Sequence, residues 1–202
     1  MWLYWTIYWL FRTAVSLYCR IEIHGLQNVP KTGPVLVAIN HVSAWDPPVA
    51  AVLMPRSVYF MAKAELFEKP WKRWLFTRLH AFPVHRGHPD RKSLRQALKV
   101  LDQQEMLIIF PEGHRSETGT LQEARAGIVF LAQKTGVPVL PVGISGQYGF
   151  RKTIRYVFGP PFTIPREMDR HEAQQLVMQK IAEQIENYDP QKVPQKFINP
   201  SE

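Results

Sequence analysis

Val35-Leu36-Val37-Ala38-Ile39 sets five apolar residues in unbroken succession, and the chain then turns polar at Asn40-His41. A run of that kind suits a strand covered on both faces, since a strand with one wet face alternates apolar and polar residues. Met106 to Phe110 repeats the pattern before Pro111, and Val137 to Val142 gives a third such strand. Shorter strand patterns occupy 20–24, 57–62, 81–84 and 154–158. Helical patterns separate them. Pro47-Pro48 opens a short helix, and 70–79 reads as an aromatic, basic one. Asp90 is placed to cap a helix over 91–103, whose Leu94, Ala97, Leu98 and Leu101 form one stripe. Residues 123–135 read as a helix stopped by Gly136. Asp169 with Glu172 gives a capping-box-like start to a last helix carrying Leu176, Val177, Ile181 and Ile185.

Strands alternating with helices predict a single α/β domain, with a mixed, largely parallel sheet flanked by helices. Residues 20–188 make up that domain. Three prolines and no apolar stripe from 189 to 202 read as a loose tail. In such sheets ligands bind beyond the carboxyl ends of the strands. His41, Arg86 and Glu112 each follow a predicted strand, so the fold class brings them to one edge.

The first nineteen residues are of another kind. Met1 to Cys19 carries one charge, Arg12, and Trp2, Trp5 and Trp9 recur at helical spacing. Tyr4, Tyr8, Phe11 and Tyr18 add aromatic surface. Tryptophan and tyrosine favour the headgroup layer of a bilayer, where the ring is buried and the polar atom stays wet. The segment has no basic start and no small-residue cleavage site, unlike a signal peptide. It is borderline for the roughly 20 apolar residues of a spanning helix. It therefore reads as a membrane-associating helix lying in the interface; a full span, or an apolar helix packed on the core, are the other readings.

Net charge is +8, which points to an anionic partner. Residues 63–99 hold ten lysines and arginines against three acids, a local +7, so the charge does not come from a basic tail. A nucleic-acid face, a membrane face or a site for phosphorylated substrates would each account for it. The aromatic first helix favours a membrane over nucleic acid. A single cysteine, Cys19, excludes an internal disulfide.

His41 and Asp46 are the first chemical candidates. On a continuous helix a five-residue offset puts them about 140° apart. They meet only if the chain turns between them, as a strand end followed by a helix start allows. Asp46 then fixes one imidazole nitrogen and leaves the other as a base, which is a triad without its nucleophile. Helix capping ahead of Pro47 is the plainer role for Asp46. The second candidate is Glu112-Gly113-His114-Arg115-Ser116. Gly113 lets backbone approach a ligand, Arg115 can fork two hydrogen bonds to a phosphate, and Glu112 is suited to holding an arginine. Arg86 is a possible second clamp. Gly143-Ile144-Ser145-Gly146-Gln147 lacks the last glycine of a nucleophile elbow, and no phosphate loop or dinucleotide fingerprint occurs. His80, His85 and His88 have metal-like spacing without supporting carboxylates, so no metal site is expected.

Four segments, in order, resemble the glycerolipid acyltransferase family, in particular its bacterial 1-acyl-sn-glycerol-3-phosphate acyltransferases. They are Asn40-His41 to Asp46-Pro47, a His-x4-Asp block; Phe82-Pro83-Val84-His85-Arg86-Gly87; Phe110-Pro111-Glu112-Gly113-His114-Arg115-Ser116; and Val137-Pro138-Val139-Leu140-Pro141-Val142. The resemblance spans about residues 20–165. It implies acyl transfer from an acyl-CoA or acyl-carrier protein thioester to lysophosphatidic acid, with no cofactor. A relative acylating glycerol-3-phosphate or another lysolipid, and a non-catalytic peripheral membrane protein, are the alternatives. The resemblance makes His41 the general base and Asp46 its partner. It gives Arg86, Glu112, Gly113 and Arg115 to the acceptor phosphate, with Lys63 nearby. It also implies a peripheral or monotopic place on the cytoplasmic side of the cell membrane. His114 stands where threonine is common in the family, and His85 where aspartate is frequent.

Overall fold

Leu36 and Ala38 face one way across the central strand while Val35, Val37 and Ile39 face the other, and all five are fully buried. The apolar run is thus a strand between two cores, as its composition requires. A computed structural model describes residues 2–85, 90–189, and 191, 193 and 197. In chain order the elements are α1 (Trp2–Tyr18), β1 (Arg20–His24), β2 (Val35–Ile39), α2 (Asp46–Leu53), β3 (Val58–Lys63), α3 (Pro70–Arg78), β4 (Ala81–Val84), α4 (Arg91–Asp102), β5 (Met106–Ile109), α5 (Ala126–Thr135), β6 (Val139–Gly146), β7 (Thr153–Phe158) and α6 (Arg170–Glu186).

The seven strands form one sheet in the order β1-β7-β6-β2-β5-β3-β4. Five neighbours, β6-β2-β5-β3-β4, are mutually parallel. β7 pairs antiparallel with β6, and β1 parallel with β7. The sheet is mixed and largely parallel, as expected. The carboxyl ends of β2, β5, β3, β4 and β6 therefore share one edge with the amino ends of β7 and β1. One core joins the sheet to α4, α5 and α6, and the other joins it to α1 and α2.

Two boundaries move from their expected places. α5 starts at Ala126 rather than 123, because the preceding residues are tied elsewhere: the Arg125 amide donates to the Pro111 carbonyl at 2.7 Å, and Leu121 and Ala124 are buried. β6 continues past Val142 to Gly146, a stretch whose glycines hide its strand character. Gly143 has a packing reason, since a Cβ there would lie 2.7 Å from Cβ of Gln184 on α6. In the region read as a tail, Val193 and Phe197 are buried in the same core as α6.

α1 is 17 residues long, and no helix among the described residues is long and apolar enough to cross a membrane. Its inner face packs on the body: Tyr4 and Tyr8 are buried with Val52 of α2, and Val15 and Cys19 enter the core beside Val49 and Tyr156. Arg12, its one charge, donates to the Val52 carbonyl at 2.8 Å, satisfying a carbonyl in the last turn of α2. Its outer face leaves Trp9, Leu10 and Leu17 in solvent. The inner face fits the packed reading, and the outer face presents the exposed aromatic and apolar surface on which the interfacial reading rests.

The basic stretch does not form one face. α3, with Lys72, Arg73 and Arg78, carries Phe76, which packs with Phe67 against the core shared with α1. α4, with Arg91, Lys92, Arg95 and Lys99, buries Ala97, Val100 and Leu101 in the opposite core.

Candidate active site

β2 ends at Ile39, and the next two side chains secure the edge. Asn40 is buried and bridges to β6: its Nδ2 donates to the Ile144 carbonyl at 3.0 Å, and its Oδ1 accepts from the Ile144 amide at 2.6 Å. His41 follows at the strand's carboxyl end, 4% exposed, its ring stacked on Phe110 from the end of β5 with centroids 4.2 Å apart. The chain then turns into α2, whose first residue is Asp46.

That turn brings the pair together. His41 Nδ1 lies 2.8 Å from Asp46 Oδ2, which also accepts the amides of Val42 and Ser43, each at 2.7 Å. Asp46 Oδ1 accepts from Tyr148 at 2.9 Å. Every neighbour of this carboxylate is a donor, so Nδ1 carries the imidazole proton and Nε2 holds the lone pair. Helix capping is not the role of Asp46: it is the first residue of α2, and the amides it accepts precede the helix. Its oxygen closes the turn before α2 and fixes the tautomer at once.

Tyr148 and Tyr156 escape a sequence search. Tyr148 has spent its proton on Asp46, so Tyr156, 2.5 Å away, donates to the Tyr148 oxygen. Burial pushes both phenols above their ordinary range, with Tyr156 and Asp46 adding to the effect at Tyr148. Both therefore remain protonated donors. They lie more than 100 residues from Asp46 on a loop and a strand that no local motif marks.

Glu112 sits 71 residues beyond His41, yet its Oε1 accepts the His41 amide at 3.4 Å. Glu112 is 1% exposed, and its Oε2 makes no hydrogen bond of ordinary length, although the Gln122 amide lies close enough to the carboxyl to lower its pKa. Burial pushes its pKa up to about 7; the nearby Asp46 adds to this, while the His41 amide opposes it. The expected arginine pair is not formed: among the described residues no cation makes an ion pair with Glu112, and Arg115 is exposed. The turn is held otherwise. Gly113 takes φ +75°, its amide donates to the Phe110 carbonyl at 3.0 Å, and the Ser116 amide donates to the His41 carbonyl at 2.9 Å. Arg125 covers the turn, its Cγ lying 3.1 Å from where a Cβ on Gly113 would be. It is a second cation beside this turn that the motifs did not indicate.

Lys63 lies further along the edge. It ends β3, opposite Val84 in the β3–β4 register, and its Nζ pairs with Glu65 at 3.0 Å. Arg86 lies outside the described residues. Asp90 Oδ2 accepts the His85 amide at 3.0 Å and pairs with His85 Nδ1, while Oδ1 caps α4 through Lys92 and Ser93. The His85 and Ser93 amides hold this carboxyl well below the usual carboxylate range. His80 and His85 do not share a site. His80 is stacked between Tyr4 and Tyr59, whereas His85 points to Asp90; His88 lies outside the described residues.

The result is an acid–base site: an oriented imidazole with a free Nε2, at the carboxyl edge of a parallel sheet, with cations in the flanking turns. The chain belongs to the acyltransferase family, whose profile matches residues 20–145, and is an enzyme of that class. It is similar to the 1-acyl-sn-glycerol-3-phosphate acyltransferase of Bacillus subtilis (strain 168), with 28% identity over 74% of this chain and 77% of that protein. It is 32% identical to the lyso-ornithine lipid O-acyltransferase of Pseudomonas aeruginosa, over 69% of this chain and 53% of that one. Among solved structures, the 1-acyl-sn-glycerophosphate (LPA) acyltransferase PlsC of Thermotoga maritima superposes with a TM-score of 0.74 at 25% identity, covering 92% of this chain and 80% of its own.

Proposed function

We propose that this protein transfers a fatty acyl group from an acyl-CoA or acyl-carrier protein thioester to the free hydroxyl of 1-acyl-sn-glycerol-3-phosphate, giving phosphatidic acid. The observation that carries the reading is the 2.8 Å contact from His41 Nδ1 to Asp46 Oδ2, which leaves Nε2 as a base with no hydrogen bond to a protein nucleophile among the described residues. The acceptor supplies the missing nucleophile. Nε2 takes the hydroxyl proton as the oxygen attacks the thioester carbonyl. The carbon–sulfur bond then breaks, and the same proton passes to the departing thiolate. Positioned acid–base catalysis contributes roughly 10²- to 10⁴-fold, and holding the two substrates in line contributes more.

Arg115 with Gly113, and Lys63 at the end of β3, bind the acceptor phosphate, and Arg86, which lies outside the described residues, is assigned to the same phosphate. Glu112 shapes the floor of that site through the His41 amide. The outer face of α1 rests in the lipid interface on the cytoplasmic side of the cell membrane, where a lysolipid acceptor resides.

The test is purified protein with lysophosphatidate and a panel of acyl-CoA lengths, reading phosphatidate and free thiol. His41→Ala abolishes both products while vesicle binding persists. Retained transfer removes His41 as the base, and absence of transfer by the native protein leaves a non-catalytic membrane protein. The likeness to a lyso-ornithine lipid acyltransferase supports a second reading, another lysolipid as acceptor. The same assay with lyso-ornithine lipid and with glycerol-3-phosphate ranks the acceptors by kcat/KM.

A further inference from the structure

α3 contains two tryptophans and not one buried residue. Trp71 is 62% and Trp74 is 54% exposed. Exposed apolar surface concentrated in one place marks a contact face rather than a folding element. We infer that α3 is a second lipid-contact surface, docking on an anionic bilayer through Trp71 and Trp74. The inference extends the membrane reading of α1 given above.

Three observations carry it. The first is charge. Lys72 Nζ lies 5.6 Å from the Trp71 ring and Arg78 Cζ 5.6 Å from the Trp74 ring, and no acidic residue occurs from Lys69 to His85. Tryptophan between long cations is the composition of the headgroup layer: the ring enters, and the charge stays at the phosphates.

The second is placement. α3 and α1 cover the same side of the sheet, and Tyr4 of α1 stacks on His80, just past the end of α3, with centroids 4.8 Å apart. Exposed Leu66, four residues before Pro70, lies in the turn leading to α3, and Trp45, exposed at the start of α2, stacks on Phe11 of α1. Exposed apolar residues therefore occur on α1, at the dyad's turn and at α3, elements that share one side of the sheet.

The third is contrast. On the opposite side of the sheet, α4, α5 and α6 expose one large hydrophobic among the described residues, Phe130. α4 is as basic as α3 but brings no aromatic ring outward, so cations without tryptophan are the ordinary solvated case there. Tryptophans among cations would also suit single-stranded nucleic acid; it is the placement of Trp71 and Trp74 on the same side of the sheet as the exposed aromatic face of α1 that points to lipid.

The experiment is co-sedimentation of the full chain with vesicles of phosphatidylcholine, alone or mixed with phosphatidylglycerol. Trp71→Ala/Trp74→Ala weakens partitioning onto the mixed vesicles about tenfold. Lys72→Glu/Arg78→Glu removes the preference for the mixed vesicles, again a loss of about tenfold or more. Both variants keep native circular dichroism and turn over a water-soluble short-chain acceptor at the native rate. A Trp71→Cys chain labelled with an environment-sensitive dye shows a blue shift on mixed vesicles. Trp9→Ser/Leu10→Ser, tested in parallel, probes α1 separately. Loss in that variant with native binding in both α3 variants overturns the inference and leaves the α1 reading standing. Loss in the α3 variants alone upholds it and removes α1. An unshifted dye on bound protein also overturns it, as does binding to DNA or to an acidic carrier protein that depends on Trp71 and Trp74 while vesicle binding does not.

Discussion

Tyr148 donates its phenolic proton to Asp46 Oδ1 at 2.9 Å, so the oxygen of this carboxylate not facing His41 is held by a residue 102 positions away. Replacing it with phenylalanine removes one hydrogen bond and leaves the ring. The carboxylate then loses one of the donors that fix its plane against His41 Nδ1. Tyr148→Phe is therefore expected to lower kcat about three- to tenfold with acceptor KM little changed. Steady-state kinetics checks this. A native kcat, with only a drop in thermal stability, would reduce Tyr148 to packing.

Glu112 predicts a pH dependence of stability. Its folded-state pKa is raised to about 7 from an ordinary 4.5, with burial the main cause. Between those values the folded chain keeps a proton that the unfolded chain has released. The contribution is thus full below about 4.5 and is lost as pH rises through about 7, on the order of 3 kcal/mol in all. Glu112→Gln resembles the neutral acid and cannot ionise. Urea unfolding should show it gaining on the native chain between pH 5 and pH 8, and a constant difference would be inconsistent with a buried neutral Glu112.

Asn40 is a structural bolt rather than a chemical group. Asn40→Ala strands the amide and carbonyl of Ile144 in a buried strand. The expected loss is about 2 to 4 kcal/mol, read from denaturant midpoints. Because Asn40 precedes His41 directly, kcat should fall as well.

The phosphate-binding role proposed for the arginines predicts different effects on acceptor and donor. Arg115→Ala and Arg86→Ala should each raise acceptor KM roughly 10- to 100-fold, the worth of charge-assisted bonds to a phosphate. Acyl-donor KM should change little. Lys63→Ala should do less, since Lys63 already shares its charge with Glu65 at 3.0 Å. Equal effects on both substrates would point to misfolding of the turns.

The strands around His41 were legible because burial on both faces leaves only apolar residues to choose from, and Val35–Ile39 could be nothing else. The meeting of His41 and Asp46 was legible as a requirement, since a helix forbids it and a strand-to-helix turn permits it. Local patterns also marked the caps: Asp90 and Asp169 each accept the amides two and three residues on. The rest depends on distance along the chain. Nothing near Tyr148 or Tyr156 announces a carboxylate partner, and nothing near Glu112 announces that it would hold the His41 amide rather than an arginine. The division of residues 63–99 between two sides of the sheet is likewise a property of the crossover, invisible to a count of charges.

The reversed pair of strands has a last consequence. Because β7 and β1 run against the other five strands, the end of α1 arrives at the edge where the dyad stands. There the Tyr18 carbonyl accepts the Arg151 amide at 2.9 Å, and Tyr148, three residues earlier on the same loop, grips Asp46. The first helix and the carboxylate behind the base are thus two ends of one short lever. Shortening the chain from its beginning would remove the arm that steadies the fulcrum, and a truncated enzyme should lose rate even in a detergent solution where there is nothing to dock on.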